Sequence, residues 1–269
     1  MSIRKQIFPR LVLASLSKVY GCAVYLRNKL FDWGILKQEQ FDVPVVVVGN
    51  IAVGGTGKTP HTEYIVDCLK RNYNIAVLSR GYKRNTKGFV LASNSSTESE
   101  IGDEPYQILK KFGNCIKLAV CEDRRHGIRE LLKIYPEINL VVLDDAFQHR
   151  YVKPTVAVVL MEYNRPVYND NLLPLGHLRE SHHALNRADM VIVTKCPDDI
   201  KPMDFRIIKN NLNLFPSQKL FFSTYQYGDL VSVFPENSMY IPYLEWLKKR
   251  RFYFGYCRYC QPQAFCKIP

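Results

Sequence analysis

Apolar residues fall along this chain in two textures. Over the first 35 residues Phe8, Val12, Leu16, Val19, Ala23, Leu26, Leu30 and Trp33 recur at spacings of three and four, the period of one helical face. Arg10, Lys18, Arg27 and Lys29 lie off that stripe. Two readings stand side by side: a helix docked on the core, and a helix lying in an anionic membrane surface. From residue 43 the pattern changes to short, β-branched, nearly continuous apolar runs at 43–48, 75–79, 116–120, 140–143, 156–160 and 190–194. Such runs suit parallel strands buried on both faces. Helical stretches are expected between them, near 60–71, 104–112, 124–134 and 179–188. The alternation predicts an α/β fold, a mostly parallel sheet with flanking helices. Residues 83–100, with Ser93–Thr97 at their centre, read as a mobile loop.

Charge sharpens this division. The 269 residues carry 37 Lys+Arg against 25 Asp+Glu, a formal net charge of +12. Residues 1–40 hold seven basic and two acidic side chains, and residues 248–269 hold six basic and none acidic. The intervening body, with 24 basic and 23 acidic residues, is nearly neutral. A nucleic-acid enzyme would spread its excess through the folded domain, so no nucleic-acid partner is expected. The eight cysteines are scattered apart from Cys257, Cys260 and Cys266. Cys257-x-x-Cys260 has no second ligand pair to complete a zinc site.

The chemistry concentrates after the first apolar run. Ala52-Val53-Gly54-Gly55-Thr56-Gly57-Lys58-Thr59, followed by Pro60, joins a strand to a helix through a glycine-rich loop whose N–H groups can converge on phosphate. In a nucleotide site of this kind Lys58 reaches the β- and γ-phosphates and the Thr59 hydroxyl ligates Mg²⁺. The pattern ordinarily starts with Gly, where this chain has Ala52. Asp144 and Asp145 end the run Leu140-Val141-Val142-Leu143, where a second acid is needed for the metal. Their other reading is a carboxylate pair capping a turn. ATP and Mg²⁺ are the cofactors this constellation implies.

Further motifs make the pattern specific. They are Gly49-Asn50, Ser79-Arg80-Gly81-Tyr82, Gly102-Asp103-Glu104-Pro105, Asp144-Asp145-Ala146-Phe147-Gln148-His149 and Leu173-Pro174-Leu175-Gly176-His177-Leu178-Arg179-Glu180. Together with the phosphate loop they resemble, in order, the tetraacyldisaccharide 4'-kinase family, over about residues 1–200. Ala146 stands where that family usually has Gly. The resemblance implies a P-loop NTPase-like core and ATP-dependent phosphorylation of the 4'-hydroxyl of an acylated disaccharide 1-phosphate in lipid A biosynthesis. It also implies a peripheral location on the cytoplasmic face of the bacterial inner membrane, an anionic surface that the N-terminal helix would suit. By the same resemblance Asp103 is the base that takes the acceptor proton; Lys58, at the phosphates, is the other residue expected to be catalytic. Arg80, Tyr82, His149 and Arg179 are then substrate-facing. The plain alternatives are a helix-capping Asp103, a solvated Arg80 and a structural His149. Glu122-Asp123-Arg124-Arg125 reads equally as charge pairs beside the site and as a solvated helix start. Thr194-Lys195-Cys196-Pro197-Asp198 is only partly like the base-reading motif of GTPases, and no GTP preference follows. The functional alternatives are another P-loop small-molecule kinase or ligase, and a nucleic-acid-binding NTPase.

This reading divides the chain into an amphipathic helix (1–40), a kinase core (41–200) and the start of a smaller, incomplete second domain (201–269). The resemblance implies a later Gly-Ile-Ala-Asn-Pro segment and a His partner for the catalytic Asp, neither of which is present. Residues 251–269 have no helical or strand period. Codons permitted for them, read one base later, encode an apolar strand followed by Gly-Ile-Ala-Asn-Pro. Residues 250–269 are therefore expected to be out of frame, in a kinase that is cut short.

Overall fold

The six apolar runs form the centre of one sheet in this computed structural model, which describes residues 4–225 and the pair 265–266. They correspond to β1 (Val45–Asn50), β2 (Ile75–Ser79), β4 (Lys117–Val120), β5 (Leu140–Asp144), β6 (Val156–Glu162) and β7 (Met190–Thr194). Two short strands, β3 (Val90–Leu91) and β9 (Phe265–Cys266), and the five-residue β8 (Lys219–Ser223) complete the order β3-β4-β2-β5-β1-β6-β7-β8-β9. All pairings are parallel except β3 with β4 and β8 with β9. Alternating side chains serve both faces, as a sheet covered on each side requires. Val47, Leu78, Val141 and Val159 point into one core, and Val48, Val77, Val142 and Val158 into the other. The covering helices are α2 (Lys58–Leu69), α3 (Glu98–Ile101), α4 (Asp103–Phe112), α5 (Arg124–Ile134) and α6 (Pro202–Leu212).

Register decides where the chemistry emerges. Val48 of β1 lies opposite Asp144 of β5, so the glycine-rich loop and the Asp144-Asp145 pair leave the sheet at the same edge. β1 sits between β5 and β6, where the chain switches from building one side of the sheet to the other. That C-terminal edge at a switch point is where open α/β sheets bind ligands.

Helix α1 (Arg4–Asp32) runs outside the sheet. The sequence stripe does not face the body: Val12, Leu16, Val19, Leu26 and Trp33 are 44–68% exposed. The docked seam is instead largely polar. Ser17 Oγ donates to Leu172 O at 2.8 Å, Tyr20 Oη to Arg179 O at 2.8 Å and Asn28 Nδ2 to Glu180 Oε2 at 2.9 Å. Phe31 closes it, edge-on to Tyr151. Thus the core-packing reading fails for these five residues of the stripe, which face outward. Among the described residues no helix is long and apolar enough to cross a membrane.

Two expectations are corrected. Residues 179–188 hold no α-helix, only a 3-10 turn at His182–Arg187. Arg179 spends its N–H on Ile51 O and its carbonyl on Tyr20, so its segment is fixed as an extended link. Residues 83–100 are not a featureless loop: β3 pairs with β4, Thr97 and Glu100 form a capping box, and Arg84 bridges Gly88 O and Glu122. Within residues 201–269, expected as the start of a second domain, lie helix α6 and strand β8, and β8 pairs in parallel with β7. The remainder of that segment, including Cys257-x-x-Cys260 and most of the out-of-frame stretch 250–269, lies outside the described residues.

Candidate active site

The phosphate loop is shaped by positive-φ backbone at Gly54 and Gly57. Gly57 (φ +84°) is the N-cap of α2, a conformation that costs a side chain energy. A Cβ there would also collide with Tyr225 Oη. Inside the turn Thr56 N–H bonds Gly54 O at 3.0 Å, and Asn50 Nδ2 donates to Thr56 Oγ1 at 2.8 Å.

A cleft of about 1090 Å³ opens beside the loop. It gathers Gly54 through Thr59, Arg80, Tyr82, Asp103, Asp145, His149 and Arg179, which are most of the residues the sequence nominates. Ala52 and Val53 do not line it; Val53 N–H is taken by His177 O at 2.7 Å on the far side of the loop. Asp144 also stays out of the lining: it is completely buried and accepts from Thr62 Oγ1 at 2.8 Å. Its Oδ2 has no hydrogen-bond partner. Burial foremost, with Glu104 adding repulsion, pushes the Asp144 carboxyl up to about 7. Asp145, with positive φ, turns into the cleft instead. Its Oδ1 is 3.8 Å from Lys58 Nζ and 3.6 Å from Arg179 Nη1.

Arg80 and Arg124 line the cleft together with the acids Glu104 and Glu122. Arg124, buried at the start of α5, donates to Cys121 O and Glu122 O, while Asp123 caps the helix by accepting from Arg125 N. The charge pairs expected of the 122–125 run are present as Glu122 with Arg84 and Asp123 with Arg125, while buried Arg124 departs from a solvated helix start. Burial foremost, with the neighbouring Arg124 adding repulsion, lowers His149 to about 4. The ring is neutral near pH 7, and its Nε2 has no hydrogen-bond partner. Glu104 is raised, first by desolvation and then by Asp145 and Asp103, with Lys58 opposing.

Several cleft residues escape sequence reasoning. Tyr20, Val24 and Arg27 reach it from α1; their spacing of four and three on one helical face was the available signal. Gln148 donates to Asn50 O at 2.5 Å and accepts from Arg179 at 3.4 Å. Glu180, almost fully buried, joins Arg187 and Asn28. Nothing in periodicity distinguishes Gln148 or Glu180.

Among the described residues no three His, Cys, Asp or Glu side chains converge as a metal cluster. A magnesium ion at a phosphate site does not need one, since it takes most ligands from phosphate and water. Thr59, the orphaned Asp144 Oδ2 and the cleft-facing Asp145 fit such a role.

Comparison with known proteins agrees with this geometry. The model of a family described as Tetraacyldisaccharide-1-P 4'-kinase matches residues 9–225. A tetraacyldisaccharide 4'-kinase of Bacteroides thetaiotaomicron is 55% identical over 236 residues, covering 87% of this chain and 60% of that protein. One from Porphyromonas gingivalis is 52% identical over 218 residues, covering 80% of this chain and 61% of that protein. Among solved structures, LpxK from Aquifex aeolicus in complex with ATP has a TM-score of 0.69 at 31% identity, covering 81% of this chain and 66% of that one. The chain thus spans about 60% of the length of the curated relatives it matches.

Proposed function

The chain belongs to the tetraacyldisaccharide-1-P 4'-kinase family, and from that premise we propose that it transfers the γ-phosphoryl group of ATP to the 4'-hydroxyl of a tetraacyldisaccharide 1-phosphate. The observation that carries this reading is a single cleft with two kinds of wall. One is the loop Gly54–Thr59; the other is Tyr20, Val24 and Arg27 of a helix whose outer side is apolar.

In this reading loop amides and Lys58 hold the β- and γ-phosphates. Asp103, at the first turn of α4, takes the proton of the 4'-hydroxyl as its oxygen bonds to the γ-phosphorus. The bond from that phosphorus to the β–γ bridging oxygen breaks, and ADP leaves. Arg80, Arg179 and Tyr82, with neutral His149, orient the acceptor. Thr59, Asp144 and Asp145 would hold Mg²⁺, which when bound neutralises charge on the β- and γ-phosphates. The outward apolar stripe of α1, with Arg10, Lys18 and Lys29 beside it, would rest on the anionic cytoplasmic face of the inner membrane. There the acyl chains stay in lipid while the sugar enters the cleft.

The test is transfer of label from γ-labelled ATP to tetraacyldisaccharide 1-phosphate in mixed micelles. Labelled lipid is expected. ATP hydrolysis, or transfer only to water-soluble acceptors, would instead favour another small-molecule kinase.

A further inference from the structure

Two carbonyls of the phosphate loop are held from outside the loop by side chains with no other part in the proposed reaction. Thr194 Oγ1, at the end of β7, donates to Thr56 O at 2.9 Å and lies 3.4 Å from Met161 O. The His61 ring, completely buried on α2, meets Gly57 O through Nδ1 at 2.7 Å. That carbonyl also accepts the His61 backbone N–H at 3.2 Å. Because a carbonyl only accepts, Nδ1 carries the proton. Nε2 is then the acceptor, and Ser223 Oγ donates to it at 2.9 Å. Ser223 is anchored in turn, its carbonyl accepting from Cys196 N at 2.9 Å. Tyr225 lies edge-on to the His61 ring and blocks any side chain at Gly57.

A peptide unit is planar and trans, so the direction of its C=O fixes that of the next N–H on the opposite side. Holding Thr56 O sets the amide of Gly57, and holding Gly57 O sets the amide of Lys58. These are two of the donors a phosphate loop presents to its anion. We infer that His61 and Thr194 are positioning residues that fix the Gly57 and Lys58 amides toward bound phosphate, with β7 and the Ser223 end of β8 as their rigid support. Donors fixed before the anion arrives lose little freedom when it binds. Elsewhere the Asn50 side chain meets the loop at the Thr56 hydroxyl; here the two carbonyls are held by Thr194 of β7 and by His61 of α2, which Ser223 of β8 braces. The inference rests on the reading of residues 52–59 as a nucleotide phosphate loop.

The experiment titrates the 269-residue chain with ATP and, separately, with AMP by calorimetry. It compares wild type with Thr194→Val, Thr194→Ser and His61→Leu. Weakened loop donors should be felt by the β- and γ-phosphates, so Thr194→Val and His61→Leu are each expected to lower ATP affinity about ten-fold. AMP affinity should change less than two-fold, and Thr194→Ser, which keeps the hydroxyl, should bind ATP like wild type. A parallel loss of ATP and AMP binding would mark both residues as merely structural and overturn the inference. So would unchanged ATP affinity, or a failure of both variants to fold. Wild type that binds no ATP would overturn the nucleotide reading itself, an outcome distinct from intact binding without selective loss.

Discussion

The Lys58 ammonium stands 3.8 Å from Asp145 Oδ1, beyond hydrogen-bond reach, and that buried oxygen has no hydrogen-bond partner. Arg179 Nη1 approaches the same atom at 3.6 Å. One carboxylate therefore balances two cations at the mouth of the phosphate loop without satisfying either. Asp145→Asn should leave both cations uncompensated. Affinity for ATP in excess chelator is expected to rise several-fold, because the cleft gains positive charge. Phosphotransfer with Mg²⁺ is expected to fall at least about 100-fold if Asp145 holds the metal as proposed. Calorimetry with EDTA and a labelled-ATP assay would measure the two effects; a variant with unchanged values in both would remove Asp145 from the site.

Much of this arrangement is legible in the chain. The runs at 75–79 and 190–194 coincide with β2 and β7, because a strand buried on both faces leaves an uninterrupted apolar signature. The run at 43–48 is offset by two residues: β1 continues through Gly49 and Asn50, where close approach of Phe147 leaves no room for a Cβ at Gly49. Periodicity located α1 and named its apolar stripe, but period alone cannot say which side a helix docks. The seam is made by Ser17, Tyr20 and Asn28, whose partners are more than 150 residues away. Strand β8 was missed because only its last two residues, Phe222 and Ser223, are buried. For the site, the motifs placed Lys58, Arg80, Asp103, Asp145, His149 and Arg179 in one cleft. Gln148 and Glu180 sat inside recognised motifs without any local signal of their roles.

Acid sensitivity follows from two buried imidazoles. His61 and His149 are each lowered to about 4, in both cases chiefly by burial. Since the unfolded chain holds their protons up to about pH 6.5, it binds more protons than the native state between about 4 and 6.5. Stability is therefore full above that window and is lost as pH falls through it. For His61, the more deeply buried, the loss by pH 4 amounts to about 3 kcal/mol. Urea unfolding at a series of pH values would show it, and His61→Gln should flatten the slope. A wild-type midpoint constant from pH 7 to 4 would contradict the buried neutral assignment.

Glu63 ties the phosphate-loop helix to the helix that carries Asp103. On α2 it is almost fully buried, accepting from Gln107 Nε2 at 2.6 Å and Lys111 Nζ at 2.7 Å, both on α4. Removing the acid leaves Gln107 unpaired, while the partly exposed Lys111 can turn to water. Glu63→Leu is thus expected to cost about 2 kcal/mol, below the range for a fully buried pair. Chemical denaturation measures this directly. A loss under about 0.5 kcal/mol would show that α4 is held by its apolar face alone.

The outward side of α1 makes a separate prediction. Leu16, Val19 and Leu26 are each more than half exposed, and burying such a side chain in lipid stabilises by about 1.5–3 kcal/mol. Leu16→Glu with Val19→Glu should abolish sedimentation with vesicles containing anionic phospholipid. Both positions face away from the cleft, so ATP affinity should stay within two-fold of wild type. Equal vesicle binding by wild type and the double variant would mean that another surface meets the membrane.

Asp103 and Glu104 are adjacent carboxylates on the first turn of α4, both in the cleft lining, and only one can be the base that serves the acceptor hydroxyl. Desolvation and the neighbouring acids Asp145 and Asp103 raise Glu104, which leaves it less ready than an ordinary carboxylate to stay ionised in the cleft. If Asp103 takes the proton, Asp103→Asn should reduce kcat by about a thousand-fold, with the KM for ATP nearly unchanged because the phosphate loop is intact. Glu104→Gln should reduce kcat less than ten-fold, its amide keeping the shape of the wall. Initial rates over a matrix of ATP and lipid concentrations separate the two. A larger kcat loss in Glu104→Gln than in Asp103→Asn would transfer the role to Glu104.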